Sequence, residues 1–238
     1  MAGHNKWSQI KHKKAKTDAQ RSKIFTKVIK EITVAVKSGG VDIDLNPSLR
    51  LVVQKAKAVN MPQDTIKRAI AKAEGSSEVN NLEVIFYEAY GPSGSAFLIK
   101  ALTDNRHRSA ANIKYILNKK GGRWAEQGSV SYLFEKKGVL LFPATCNEEA
   151  LTEAAIDAGA EDVCMCEDGS FEVICEVKAF EEVKAYFEKS SFDVEMMVIS
   201  MLAKQFIQLS SDDQKLVEQM IEALDDDDDV QDVYTNLM

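Results

Sequence analysis

The hydrophobic pattern of this chain changes period once, at residues 75–81, and that change sets what each side of it can become. Before it, apolar residues recur every three or four positions, the spacing of one face of an α-helix. Ile24, Phe25, Val28, Ile29, Ile32 and Val36 make one such stripe. It predicts a helix from a cap at Asp18 to about Ser38, stopped by Gly39-Gly40. Asn46-Pro47 supplies a cap and a first-turn proline for a second helix, with Leu49, Val52, Val53 and Ala56 inward. Pro62 opens a third, with Ile66, Ala69, Ile70 and Ala73 on one side and Gly75 at its end. Three short-looped helices with one apolar stripe each predict a small helical domain.

The polar segment GSSEVNN at 75–81 reads as a linker. Beyond it, short apolar runs alternate with helical patterns. Val84–Tyr90 and Ala96–Thr103 are predicted strands joined by the turn Gly91-Pro92-Ser93-Gly94, Arg106–Lys120 a helix, and Val130–Phe134 another strand. Residues 138–201 predict a β-α-β-β-α-β order, with strands near 138–142, 161–166, 171–177 and 193–201 and helices near 147–158 and 178–189. Asp168-Gly169 signals a two-residue hairpin between the middle strands. A last helix follows Ser210 and Ser211, then the acidic run Asp225–Asp229 and a closing strand over Val230–Leu237.

The expected class is therefore α+β and multidomain: an N-terminal three-helix domain plus two α/β domains, the last ferredoxin-like in order. The expected boundaries are a basic arm and helical domain at 1–80, an α/β domain at 81–136 completed by 205–238, and an inserted domain at 137–204.

The net charge of −7 conceals a division. Residues 1–75 hold 16 Lys and Arg against 6 Asp and Glu, and the rest of the chain holds 14 against 31. Such asymmetry suggests a polyanion-binding end on a solubilising body. No run of about eighteen apolar residues predicts a membrane span. MAGHNKWSQIKHKK lacks the apolar core of a secretory signal, so a cytoplasmic location is expected.

Lys6, Lys11, Lys13, Lys14 and Lys16 crowd around Trp7, Ile10 and His12, and the first helix adds Arg21, Lys23 and Lys27. Phosphate chains need several cations along one surface, because each neutralised phosphate releases counterions. Trp7 among lysines suits stacking on a base or sugar. The plainer reading is a solvated tail with Trp7 docked on the protein's own core. Arg106 and Arg108 open the helix after Asp104, where the dipole disfavours cations, so a bound phosphate would suit them. A salt bridge from Asp104 to an arginine is the equal alternative. Lys119, Lys120 and Arg123, at the far end, need only the helix dipole.

Cys164-x-Cys166 invites a metal reading. A two-residue turn would pair Cys166 with Phe171 and Cys164 with Val173, placing them with Cys175 on one apolar face, so buried thiols are expected and no metal site. His4, His12 and His107 have no neighbouring acid and nucleophile that would make a triad. Ser8-x-x-Lys11 lacks its companion motifs. Gly91–Gly94 has no phosphate-loop lysine. Asp225–Asp229 reads as a solvated loop rather than a magnesium site. No catalytic residue, cofactor or small-molecule substrate is indicated, and a monomer is favoured.

Several segments resemble one family, the YebC/PmpR proteins, which include the mitochondrial translational activator of cytochrome oxidase subunit one. They are MAGHNKWSQIKHKKAKTDAQRSKIFTK, NPSLRLVVQKAKAVNMPQDTIKRAI, YEAYGPSGSAFLIKALTDNR, Gly121-Gly122 with GSVSYLF, AGAEDV, and DVQDVYTNL. Asn5 and His107 stand where relatives often carry Ser and Asn. The resemblance implies a helical domain and two α/β domains around a concave acidic centre, in a cytoplasmic protein usually described as a probable DNA-binding transcriptional regulator. Other members look like translation factors acting on ribosomes, including at proline-rich stretches. The matching basic positions are Lys6, Lys11, Lys13, Lys14, Lys16, Arg21, Lys23 and Lys27.

The leading expectation is a nucleic-acid-binding regulator of gene expression, a DNA-binding transcriptional regulator that uses its basic N-terminal surface. The alternative is a ribosome- or RNA-binding translation factor. No helix-turn-helix or zinc-finger pattern is present for reading base edges in a groove.

Overall fold

The computed structural model describes residues 18–75, 82–166 and 168–237. They form two compact units, residues 135–202 and residues 18–134 with 203–237.

The larger unit opens with helices α1 (Asp18–Gly39), α2 (Pro47–Ala58) and α3 (Gln63–Gly75). Their stripes meet in a core that includes Val28, Ile32, Val36, Leu49, Val53, Ile66 and Ala69. Ile32, Leu49 and Ile66 are fully buried, each contributing about 1.5–3 kcal/mol by leaving water. Ile24, Phe25, Ile29 and Ile70 pack at its margin. Asn46 ties the first two helices together. Its Oδ1 accepts the Leu49 N–H at 3.0 Å, capping α2, while its Nδ2 donates to the carbonyls of Ala35 and Gly40, both at 2.8 Å. Gly39 lies so close that a β-carbon there would sit 2.7 Å from the Asn46 side chain. Lys55 of α2 pairs with Glu31 of α1 at 2.6 Å.

The same unit continues into β1 (Glu83–Tyr90), β2 (Ala96–Thr103), α4 (Arg106–Lys119), β3 (Arg123–Ala125), α7 (Ser211–Asp225) and β8 (Val230–Thr235), the intervening elements belonging to the smaller unit. The sheet order is β3-β1-β2-β8, with antiparallel pairs throughout. Ile85, Phe97, Ile99, Ile113, Leu117, Val217, Met220 and Val233 share one core between the sheet, α4 and α7.

The strand expected at Val130–Phe134 is replaced by a 3-10 turn over Ser131–Leu133, and the strand lies earlier, at Arg123–Ala125, paired with β1. The cause is Glu88. This buried carboxylate collects the N–H groups of Gly128, Val130 and Ser131 at 2.7, 2.6 and 3.0 Å. Those donors are therefore unavailable to a ladder. Burial opposes the charge on Glu88, but the backbone donors outweigh it and hold its pKa below the usual range.

The smaller unit carries β4 (Phe134–Phe142), α5 (Glu148–Asp157), β5 (Asp162–Met165), β6 (Phe171–Glu176), α6 (Phe180–Lys189) and β7 (Met196–Ala203), with the ends of β4 and β7 reaching past it. Its sheet order, β5-β6-β4-β7, is the ferredoxin-like arrangement. The hairpin register differs from expectation. Met165 faces Phe171 and Cys164 faces Glu172. The Gly169 N–H bonds the Cys166 carbonyl, Cys166 bonds back to Ser170, and Gly169 takes φ +81°. A turn closed by a left-handed glycine is longer by one residue than the two-residue type, and a slip of one residue exchanges the faces. Cys164 consequently leaves the face of Val173 and Cys175. Burial first, then nearby carboxylates, pushes the thiols of Cys164 and Cys175 up to about 11.

Candidate nucleic-acid interface

Helix α1 repeats lysine at 23, 27 and 30, spacings of four and three that align the ammonium groups on one stripe. That stripe faces the C-terminal end of α7. Lys23 Nζ lies 3.0 Å from Asp226 Oδ1 and 3.3 Å from the Asp226 carbonyl. Lys27 donates to the Asp225 carbonyl at 2.6 Å. Lys30 donates to the Asp228 carbonyl at 2.8 Å and to Asp229 Oδ1 at 3.1 Å. The end of a helix exposes carbonyls and partial negative charge, and α7 has no basic residue in its last turn. Helix α1 supplies the missing cations from about 200 residues away in sequence.

Asp229 is the hub of this contact. Its Oδ2 accepts from Arg108 at 2.8 and 3.2 Å, from Ser109 Oγ at 2.7 Å and from Thr103 Oγ1 at 3.2 Å. Burial opposes its charge, but the hydrogen bonds from Arg108, Ser109 and Lys30 prevail and hold the carboxyl below the usual aspartate range. The acidic run is thus not the solvated loop expected from its composition: Asp229 is buried, and its neighbours receive lysines.

The candidate binding residues fall into three groups. Lys6, Trp7, Lys11, His12, Lys13, Lys14 and Lys16 lie outside the described residues. Lys23 and Lys27 are engaged by the acidic run, and Arg21 is exposed two residues before Lys23 on α1. Arg108 bridges Asp104 and Asp229, both at 2.8 Å, while Asn105, not Asp104, caps α4. Arg106 pairs with Glu83 at 3.2 Å on the surface. Both arginines at the start of α4 therefore meet carboxylates.

Positive charge without ion pairs among the described residues lies elsewhere. Lys67, Arg68 and Lys72 are exposed on α3. Lys114 and Lys119 on α4, and Arg123 on β3, are exposed, each against a different ring: Trp124, Tyr115 and Tyr90 respectively. The signal for this second group was present in the chain: no Asp or Glu occurs between Asn105 and Ala125, in an otherwise acidic C-terminal two thirds. Among the described residues no cluster of His, Cys, Asp and Glu could hold a metal, and no helix is long and apolar enough to cross a membrane.

Comparison with known proteins agrees with this architecture. Residues 5–76 match the family model for the TACO1/YebC N-terminal domain, and residues 82–237 match that for the TACO1/YebC second and third domains. Proteins of Burkholderia cenocepacia (strain HI2424) and Burkholderia multivorans (strain ATCC 17616 / 249) are 46 % and 45 % identical over 236 residues. Each alignment covers 99 % of this chain and 98 % of the relative, and both relatives are named probable transcriptional regulatory proteins. The crystal structure of a conserved hypothetical protein from Aquifex aeolicus superposes with a TM-score of 0.88 at 40 % identity, over 98 % of this chain and 97 % of that one. The chain belongs to the TACO1/YebC family.

Proposed function

We propose that this protein regulates gene expression by binding nucleic acid through its basic N-terminal region, as a DNA-binding transcriptional regulator. The observation that carries the reading is the segregation of charge: 16 Lys and Arg against 6 Asp and Glu in residues 1–75, and the reverse bias beyond. Such a chain presents phosphates with one attractive end and a repellent body, which limits non-specific adhesion. The names of the relatives support a regulatory role. The reading is non-catalytic, needs no cofactor and places the protein in the cytoplasm.

Replacing Lys11, Lys13 and Lys14 by Ala is expected to weaken binding and to lower the salt slope by about 0.9 for each duplex phosphate no longer neutralised. Wild-type protein that ignores DNA, RNA and ribosomes at low ionic strength would end the reading.

A second reading, an RNA- or ribosome-binding translation factor, is favoured by one observation, the exposed Tyr115 ring with Lys119 5.8 Å from it. Crosslinking in cells with sequencing of the bound nucleic acid separates the two. Recovery of rRNA or tRNA without promoter DNA removes the transcription reading.

A further inference from the structure

We infer that the N-terminal half of α1 and the acidic run Asp225–Asp229 form a reversible electrostatic clasp, in which the run holds Lys23 and Lys27 until a phosphate chain displaces it. The inference rests on the nucleic-acid-binding reading above and assigns that site its own intramolecular competitor.

Three observations carry it. First, the run offers both lysines the kind of partner a phosphate chain offers. Lys23 meets a carboxylate oxygen and the carbonyl of Asp226, at 3.0 and 3.3 Å, and Lys27 meets the Asp225 carbonyl at 2.6 Å. An ammonium binds anionic oxygens as a point charge, with no fixed geometry to tell a carboxylate from a phosphate. Second, the contact is graded. Lys23 and Asp226 keep 43 % and 71 % of their side-chain surfaces in water, whereas Lys30 and Asp229 keep 23 % and 6 %. The outer pair is therefore screened and weak, and the inner pair stays as the fixed end. Third, the run is held from its other side. Asn112 of α4 donates to Asp227 Oδ2 at 3.2 Å, Asp227 Oδ1 accepts the Asp229 N–H at 2.9 Å, and Asp229 keeps Arg108 and Ser109. Release of Lys23 and Lys27 therefore leaves the run in place.

The packing allows such a release, since the core of α1–α3 and the core between the sheet, α4 and α7 share no side chain among the described residues. A permanent cap on the dipole of α7 would account for Lys27 and Lys30 on carbonyls. It does not account for the exposed carboxylate of Asp226 on Lys23, the lysine of this stripe nearest in sequence to the basic arm. Closure lowers the apparent affinity for a polyanion by the fraction of molecules that are open, and by linkage the polyanion opens the clasp by the same factor. Added salt weakens the clasp as well as the complex, so the competition flattens the salt dependence of the wild type.

The test uses the full-length protein with a DNA duplex and an RNA hairpin. A carbodiimide joins a lysine to a carboxylate only where the two touch, so Lys23 and Asp226 are expected to couple in the free protein, and mass spectrometry reads the yield. Saturation with nucleic acid is expected to suppress that coupling. Coupling of Lys137 to Glu161, 2.8 Å apart in the smaller unit, is expected to persist as an internal standard. Asp226→Asn/Asp228→Asn is expected to tighten binding about threefold and to steepen its salt dependence. The reference is Glu148→Gln/Glu149→Gln, which changes the net charge equally at exposed positions of α5. The inference is overturned if the Lys23–Asp226 coupling persists at saturation, or if the two double variants bind alike. If either occurs while the Lys11, Lys13 and Lys14 variants lose binding, this inference fails and the N-terminal reading stands. If the wild-type protein binds no nucleic acid, both fall.

Discussion

Lys30 of α1 lies 3.1 Å from a carboxylate oxygen of Asp229, whose side chain is only 6 % exposed. The pair joins two segments 199 residues apart, and the other oxygen of the same carboxylate is taken by Arg108, Ser109 and Thr103. One buried charge therefore holds the helical segment, the start of α4 and the loop before β8 in register.

Asp229→Asn is expected to destabilise the protein by about 2 kcal/mol, since a carboxylate that accepts charged donors is exchanged for an amide. The folded carboxyl has a pKa below its unfolded value. Its contribution is complete above the unfolded value of about 3.9 and is lost as pH falls through the folded one. Urea unfolding at several pH values should show the wild type losing stability below about pH 4, with a shallower loss in the variant. An unchanged urea midpoint at neutral pH would contradict this.

Asp226 and Lys23 pair at the surface, with side chains 71 % and 43 % exposed, so the bond adds little to stability. It does occupy a cation of the candidate interface. Asp226→Asn is expected to change stability by less than about 0.5 kcal/mol, yet to tighten polyanion binding and steepen its salt dependence. Fluorescence anisotropy across a salt series measures this, and equal slopes for variant and wild type would refute competition for Lys23.

Asn46 is buried and bonds three backbone groups at once. Asn46→Ala removes the cap of α2 and the side-chain bonds to the Ala35 and Gly40 carbonyls, an expected loss of about 1–2 kcal/mol. Thermal unfolding should show a lower Tm. A shift indistinguishable from that of an exposed alanine substitution would mean that Asn46 does not tie the helices together.

Glu88→Ala is expected to release the segment from Gly128 to Ser131, because three N–H groups lose a common acceptor. Amide exchange over these residues should accelerate while α1–α3 stay protected. Unchanged protection there would mean that the carboxylate does not hold the turn.

Cys164 and Cys175, with thiol pKa values raised to about 11, are expected to alkylate slowly in the native protein at pH 8, since only the thiolate reacts. Mass spectrometry of iodoacetamide-treated protein checks this. Rapid labelling of both before unfolding would show the thiols to be accessible and acidic.

Periodicity in the chain was enough to place α1, α2, α3, β1, β2, α4 and α7 and the ferredoxin-like order, because each depends on near neighbours and on caps such as Asn46, Asn105 and Ser210. Composition was enough to expect a polyanion partner, and the segment resemblances to point to the family. The tertiary structure alone decided the rest. It set the Cys164–Glu172 register through a longer turn, and it moved a strand from Val130–Phe134 to Arg123–Ala125 through Glu88. It brought Asp225–Asp229 against Lys23, Lys27 and Lys30, and left Lys114, Lys119 and Arg123 without ion pairs among the described residues. The physical reason is common to all of these. Local sequence states which charges and donors exist, but a charge acts through the partner within a few ångströms, and that partner is chosen by contacts between residues far apart in the chain.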